Sequence, residues 1–548
     1  MAAVAIETLH VAVQQRLARL ADDQRAAATA PPGPVLCVAP AGSGKTTTLV
    51  ARTCWLVATG TDPAAITAVT FNKRAADELG ERLRTALAPL GDELAMPRVK
   101  TFHALGREIL ADAGVDVAKL LDREDVLRRL NGGHRLPSPL LRRLDDGFSR
   151  LKLDLALDVP AVRALPSAVA ADLGLAPEVL AAYLEYEDWL AANAALDFDD
   201  LVRRALVELR TREDLIVAWQ GRCATLLVDE VQDVDRSQLE LAVLLAGERR
   251  NIFLVGDDDQ TIYAWRLADV RRVLDLAASL PGLRRVDLVT NYRCPKPVVE
   301  RAVRLIEHND ERFAKEIRWG PMAQGELFLL PDAGDELARA RRLLREWYGR
   351  HGDTGTYAVL ARTNAELSPF AAVALETGIP YRAAEDGLLL DEPDLDDLLG
   401  ALPDEERPSV ALARAGSRSR LSRSLLGWSL PYSTAGELRD AVLDARRRRA
   451  ELRRDDAQLV LATAHGTKGL EFDHVAVIGM DEGVFPSRRT IEEHADPLRA
   501  MEEERRLAYV AWTRARRTLV LVYDPYAPSP FLREAFSVEE LALSPAQR

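Results

Sequence analysis

The sequence predicts an α/β protein made of two series of buried parallel strands, each alternating with helices and each interrupted by a helical insertion. Three observations lead there. The stretch Pro34 to Val50, PVLCVAPAGSGKTTTLV, passes from an apolar run through glycines into a helix-like segment. The strand–helix alternation that begins there stops near Ala104 and resumes at Thr225. A second alternation follows, without any Gly-Lys-Ser/Thr of its own.

Val35 to Ala39 reads as a strand buried on both faces. Ala41, Gly42, Ser43 and Gly44 then turn the chain into Lys45-Thr46-Thr47 and a helix. Such a turn aims backbone N–H groups at phosphate oxygens, and the helix N-terminus adds positive potential. Lys45 would reach the β- and γ-phosphates, and the Thr46 hydroxyl would hold Mg²⁺. The strict pattern G-x-x-x-x-G-K-[ST] fails at its first position, Ala39.

Residues 4 to 30 read as one or two Ala-rich helices, with Gln24 shortly before the glycine turn. Ile66 to Ala76 reads as a strand entering a helix, and Val99 to His103 as a third short strand. From there to about Leu196 the pattern is helical, Leu-, Ala- and Arg-rich, with hardly any strand signal. Lys45 and Asp229 lie further apart than a compact nucleotide-binding core needs, which also predicts an inserted domain. Thr225 to Val228 runs into Asp229-Glu230-Val231-Gln232-Asp233, a strand end able to carry one carboxylate for Mg²⁺ and one to activate water. Asn251 to Asp257 is another buried strand. Tyr263, Trp265 and Arg266 follow it, and they suit either base stacking or core packing.

The second series takes Val286–Val289, Tyr357–Leu360, Gln458–Ala462, Val475–Ile478 and Thr518–Val522 as strands. It breaks between about Ala384 and Asp456. There Glu385, Asp386, Asp391, Glu392, Asp394, Asp396, Asp397, Asp404, Glu405 and Glu406 precede Arg407, Arg414, Arg418, Arg420, Arg423, Arg439, the run Arg446–Arg449, Arg453 and Arg454. The layout fits two helix faces that attract each other, and it equally fits a DNA-facing patch.

A chain of 548 residues predicts about three to four domains. With 48% hydrophobic and 29% charged residues, the composition is that of a soluble globular protein. The net charge of −13 argues against a general nucleic-acid-coating protein, but not against a narrow groove that grips one strand by stacking. Cys37, Cys54, Cys223 and Cys294 form no CxxC and read as buried reduced thiols. No apolar run is long enough to span a bilayer, and the N-terminus lacks a signal-peptide layout, which predicts a cytoplasmic protein.

Taken together, the motifs make the chain resemble the UvrD/Rep/PcrA family of superfamily 1A DNA helicases over nearly its whole length. They are Gln24, APAGSGKTT (39–47), TFNKRAADEL (70–79), TFHALGREIL (101–110), LDFDDLV (196–202), LLVDEVQD (226–233), GDDDQTIYAWR (256–266), NYRCP (291–295), ARTNAEL (361–367), TAHGTKGLEF (463–472) and EEERRLAYVAWTRA (502–515). They stand in family order and spacing. The resemblance implies two RecA-like P-loop NTPase-type cores: 1A over 1–104 and 195–284, and 2A over 285–384 and 457–540. It implies a helical 1B insertion at 105–194, a 2B-like insertion at 385–456 and a tail at 541–548.

It further implies ATP and Mg²⁺ as cofactors. Lys45, Asp229, Glu230, Gln260, Arg293 and Arg514 would be catalytic, with Thr46 and Asp229 on the metal. Gln24, Ala41, Gly42, Ser43, Gly44, Thr46, Thr47, Tyr292, Lys468 and Glu471 would complete the nucleotide site. Phe71, Asn72, Thr101, His103, Tyr263, Trp265, Arg266, Asn364 and His465 would line the single-strand track. The implied partners are single-stranded DNA and single-strand/duplex junctions, with repair or replication proteins, for a monomer that engages no membrane.

Pro40, Thr47, Leu267 and Gly466-Thr467 depart from the usual family residues, and Thr47 removes a nucleotide-edge Arg. The 385–456 insertion is far shorter than the mobile 2B domain of the family. A small helical element fixed to the second core is expected in its place, with Arg446–Arg449 facing duplex phosphates. Three activities compete: a 3′→5′ helicase, a translocase that strips proteins and unwinds weakly, and a non-hydrolysing scaffold. Intact Lys45, Asp229, Glu230, Gln260 and Arg514 weigh against the scaffold.

Overall fold

A computed structural model describes residues 9–541 apart from 92–93, 265–266, 322, 333, 352–354, 386–387, 393 and 416–419. The expectations placed on Trp265, Arg266, Asp386, Arg418 and the tail beyond 541 lie outside the described residues, as do the side chains of Asp391, Arg420 and Arg423. The chain divides into two compact units, Met1–Tyr292 with Asp310–Arg318, and Arg293–Asn309 with Trp319–Arg548.

In the first unit, β1 (Val35–Val38), β2 (Ile66–Thr70), β3 (Arg98–Thr101), β4 (Thr225–Val228), β5 (Ile252–Gly256) and β6 (Arg284–Asp287) form one parallel sheet. Its order is β3-β2-β4-β5-β1-β6. Every residue of β1, β2, β4 and β5 is buried, and the strands are correspondingly apolar apart from three threonines in β2 and β4. Side chains alternate between two apolar layers. Leu36, Val38, Phe102, Trp219 and Leu254 share one layer, and Cys37, Leu49, Leu83, Leu227 and Phe253 share the other.

The strand expected to open the second series instead completes the first sheet. β6 runs parallel to β1, with Val35 opposite Arg284 and Val38 opposite Asp287. A periodic pattern reports burial and not which sheet a strand joins.

Between β3 and β4 the chain forms helices that include Arg123–Leu130, Ser138–Ser149 and Pro177–Ala192. They close on a core of their own, with Val126, Leu144, Phe148, Tyr183, Tyr186 and Leu190. The returning segment is held by buried charge. The Lys152 ammonium meets Glu187 at 2.7 Å, Asp197 at 2.8 Å and Asp200 at 3.1 Å. Arg123 meets Asp197 at 3.0 Å and Asp199 at 2.7 Å. Burial opposes the Lys152 charge, but Asp197, Asp200 and Glu187 outweigh it and hold the ammonium above its ordinary pKa.

In the second unit, β7 (Glu326–Pro331), β8 (Tyr357–Ala361), β9 (Tyr381–Arg382), β10 (Leu459–Thr463), β11 (Phe472–Val477) and β12 (Ala515–Tyr523) form another parallel sheet. Its order is β9-β10-β8-β11-β12-β7. β7 was not foreseen. It is an edge strand with no fully buried residue, so it lacks the unbroken apolar signature of its neighbours.

The interruption of this series holds the helices Leu395–Gly400, Pro408–Ala415, Arg420–Ser429 and Ala435–Leu452. Leu395, Leu399, Leu412, Leu425, Leu438 and Val442 are among its core residues. Its acids and arginines pair with one another. Arg439 meets Asp404 at 2.7 Å, Arg446 meets Asp396 at 2.8 Å, and Arg414 bonds Glu406. Arg446, expected to face duplex phosphates, is thus turned onto the insertion itself, where it also donates to the Leu390 carbonyl. Four consecutive helical residues point in different directions, so Arg447 and Arg448 are exposed while Arg446 and Arg449 are half-buried.

All four cysteines are buried and none is in a disulfide. Among the described residues, no helix is long and apolar enough to cross a membrane.

Replacing Lys152 by Met would take the shared buried cation from Glu187, Asp197 and Asp200, while Arg123 and Arg203 remain beside them. The variant is expected to lose about 3–5 kcal/mol, seen as a lower urea midpoint. An unchanged midpoint would remove Lys152 from the scaffold of the insertion.

Candidate nucleotide site and strand-binding face

The turn after β1 closes on Gly42 and Gly44, both in the left-handed region at φ 69° and 84°. Gly44 caps the helix Lys45–Ala58. A Cβ there would stand 2.6 Å from the Gln24 amide nitrogen, so the turn admits only glycine against Gln24. Gln24 is buried and donates to the Ser43 carbonyl at 2.8 Å, while its own carbonyl accepts from the Ala21 N–H. Tyr292, 48% exposed, donates its backbone N–H to the Gly42 carbonyl at 2.8 Å. Gln24 and Tyr292 therefore both bracket the turn. Ala41 and Ser43 are buried beneath it, Thr46 is half-buried and Thr47 exposed. The Ser43 hydroxyl oxygen is buried without a hydrogen-bond partner in the protein, as a turn built to receive further polar atoms would leave it.

Across from the turn, the Lys45 ammonium lies 3.2 Å from Glu230. Glu230 sits at φ 51°, a strained setting that puts its carboxylate beside Lys45 rather than along the strand axis. Gln232 bridges Glu230 to the Asp257 N–H. Gln260 donates to Asp257 at 2.6 Å. Burial and then the Glu230 charge push the Asp229 carboxyl up to about 7, against the pull of Lys45. The oxygens of Asp229 and Thr46 suit a hard cation, and a divalent ion would relieve the charge that Asp229 carries at cost.

In the second unit Arg293, Glu471 and Arg514 gather in one cluster. Arg293 meets Glu471 at 2.7 Å and donates to the Thr513 carbonyl. Arg516 meets the other Glu471 oxygen at 3.0 Å. Arg514 is buried and donates to the carbonyls of Val510 at 2.8 Å and Leu470 at 3.1 Å. Lys468, half-buried, lies on the same stretch as Glu471.

The strand-binding candidates also sort by unit. Thr70 and Thr101 are paired residues of β2 and β3, so Phe71 and His103 both follow from that end of the sheet. Phe71 stacks on Tyr263 with centroids 5.0 Å apart and planes within 12°. His103 stacks on Phe198 at 4.0 Å and 20°. Phe198 was not singled out from the sequence, although it is the aromatic of LDFDDLV, and it is 56% exposed. Asn72 and Thr101 cap helices, accepting from the N–H groups of Ala75 at 2.9 Å and Ala104 at 3.2 Å. In the second unit Asn364 donates to Glu385 at 2.6 Å. Burial and then Arg362 lower the His465 pKa to about 4, so its ring is neutral at physiological pH.

A parallel sheet whose first strand ends in a glycine turn and Lys45, with an acidic pair at the end of a nearby strand, defines a P-loop nucleoside triphosphatase. Comparison with known proteins narrows the class. The family model for the UvrD/REP helicase N-terminal domain matches residues 20–281, and that for the UvrD-like helicase C-terminal domain matches 436–526. DNA helicase II of Escherichia coli (strain K12) is 27% identical over 636 aligned positions, covering 93% of this chain and 85% of the relative. ATP-dependent DNA helicase Rep of the same organism is 28% identical, covering 91% and 90%. ATP-dependent DNA helicase PcrA of Staphylococcus aureus (strain MRSA252) is 26% identical, covering 92% and 84%. The chain belongs to the UvrD-like helicases.

The raised Asp229 pKa has a testable sign. Below the ordinary carboxyl pKa both folded and unfolded chains hold the proton. As pH rises toward about 7 only the folded chain still does, and the ionised form is then penalised in the fold alone. Without Mg²⁺ or nucleotide, Asp229→Asn is therefore expected to raise the melting temperature by an amount that grows from about pH 4 to pH 7 and then levels. The same variant should lose ATP hydrolysis. A melting difference independent of pH would refute the buried-carboxylate account.

Proposed function

We propose that the chain hydrolyses ATP with Mg²⁺ to travel 3′→5′ along single-stranded DNA and to part duplex at junctions, as a cytoplasmic monomer serving repair or replication. The observation that carries this reading is the 3.2 Å approach of Lys45 to Glu230 beneath the glycine turn. The relatives' names, DNA helicase II and ATP-dependent DNA helicase, support it.

In this reading Lys45 and the N–H groups of the turn hold the phosphates, Thr46 and Asp229 hold Mg²⁺, and the bound ion neutralises phosphate charge. Gln24 and Tyr292 take the adenine, and Glu471 the ribose. Glu230 accepts a proton from the attacking water as its oxygen bonds to the γ-phosphorus and the bond to the ADP oxygen breaks. Gln260, Lys468, Arg293 and Arg514 meet the charge that spreads over the γ-phosphoryl oxygens. Phe71, Tyr263 and His103, with Phe198 added to them, offer stacking faces to the bases. Trp265, Arg266, Asn364 and neutral His465 serve the same strand.

The insertions take the places of domains 1B and 2B, the second much reduced. An alignment of 636 positions exceeds the 548 residues present, so DNA helicase II carries segments without counterpart here, in keeping with a reduced 2B.

Strand separation on duplexes with 3′, 5′ or no single-stranded tail tests the reading directly. Only the 3′-tailed duplex should open, and only with ATP; Lys45→Ala should open none and hydrolyse no ATP. Opening from a 5′ tail would reverse the polarity.

Arg293→Ala is the cleaner test of the arginines, because Arg514 is buried and its removal would also strip its hydrogen bond from the Leu470 carbonyl. It should bind nucleotide within a few-fold of wild type and lose roughly 10³ in turnover. Loss of nucleotide binding would make Arg293 a ground-state ligand.

A further inference from the structure

Residues 310–318 belong to the first unit, although the chain before and after them belongs to the second. This short excursion ends on three consecutive aspartates that follow β5. The Lys315 ammonium is fully buried and lies 2.8 Å from Asp257 and 2.9 Å from Asp259, with Asp258 bonded to it as well. Arg312 makes a two-pronged bond to Asp259 at 2.8 and 3.0 Å. The Phe313 N–H donates to Asp258 at 2.8 Å. Two cations and one backbone N–H thus hold three buried carboxylates in place.

Asp257 is the member that points toward chemistry. One of its oxygens accepts from Lys315, and the other accepts from the Gln260 amide at 2.6 Å. An ionised carboxylate only accepts, so the bond admits only the NH₂ end of Gln260 and directs the amide carbonyl away from Asp257. Lys315 holds one oxygen of Asp257 and thereby fixes where the other meets the Gln260 amide. The Lys315 charge survives burial because the three aspartates outweigh the desolvation. Buried ion clusters are weak evidence for stability as such, which leaves orientation as the role to test.

We propose that Lys315 is a positioning residue for Gln260, setting the amide through Asp257. The inference rests on the reading in which Gln260 meets the γ-phosphate. The segment that carries Lys315 is covalently continuous at both ends with chain of the second unit.

The test is a double-mutant cycle on ATP hydrolysis at saturating single-stranded DNA, using wild type, Lys315→Met, Gln260→Ala and the double variant. Lys315→Met should lower kcat by on the order of tenfold with KM for ATP within about threefold, and the double variant should be no slower than Gln260→Ala. Multiplying losses, or a normal kcat in Lys315→Met, would overturn the inference. If Lys315→Met does not fold, Asp257→Asn decides in its place. That variant keeps Lys315 with its two other partners, and it should match Gln260→Ala; a wild-type kcat would again overturn the proposal. Gln260→Ala that hydrolyses like wild type would instead sink the underlying assignment of Gln260, so the two failures are distinguishable.

Discussion

A parallel sheet delivers the carboxyl end of every strand to one edge, and the first unit is arranged around that constraint. β1 ends there in the glycine turn and Lys45, β4 in Asp229 and Glu230, and β5 in the Asp257–Gln260 segment. β2 and β3 end there too, and they launch Phe71 and His103. The glycine turn with Lys45, the acids and the stacked aromatic pairs therefore share an edge. The order β3-β2-β4-β5-β1-β6 places the strands that lead to the aromatics at one side and the glycine turn toward the other, with the acids between.

Two buried lysines do similar physical work at two excursions of the chain. Lys152 gathers Glu187, Asp197 and Asp200 where the helical insertion returns to the sheet. Lys315 gathers Asp257, Asp258 and Asp259 where residues 310–318 join the first unit. In both, like charges that would repel gather around one ammonium with arginine beside it, so the segments are joined by specific partners and not by apolar contact alone. A chain with net charge −13 has carboxylates in excess, and these sites use them where the backbone must close on itself.

Backbone strain marks the same neighbourhood. Glu230 sits at φ 51° and Leu267 at φ 66°, where a side chain costs about 1–3 kcal/mol. The left-handed conformation at Leu267 is one that glycine would adopt without that cost. Here Leu267 offsets part of the strain by packing against the apolar layer that contains Leu36, Phe102 and Leu254.

The sequence by itself determined the buried strands, the glycine turn, the acidic pair and the helical character of both insertions, because each is written in local chemistry. Continuous apolar runs declare strands covered on both faces, and Gly42, Gly44 and Lys45 declare a turn that few other residues could make. Tertiary structure alone decided which sheet Arg284–Asp287 joins and that Glu326–Pro331 forms an edge. It also decided that Phe198 lies on His103, that Arg446 turns inward to Asp396, and that Lys315 stands among three aspartates. The physical reason is common to all of these. Periodicity reports how much of a residue is covered but not by what, and a charge in a sequence has no partner until the fold brings one within a few ångströms.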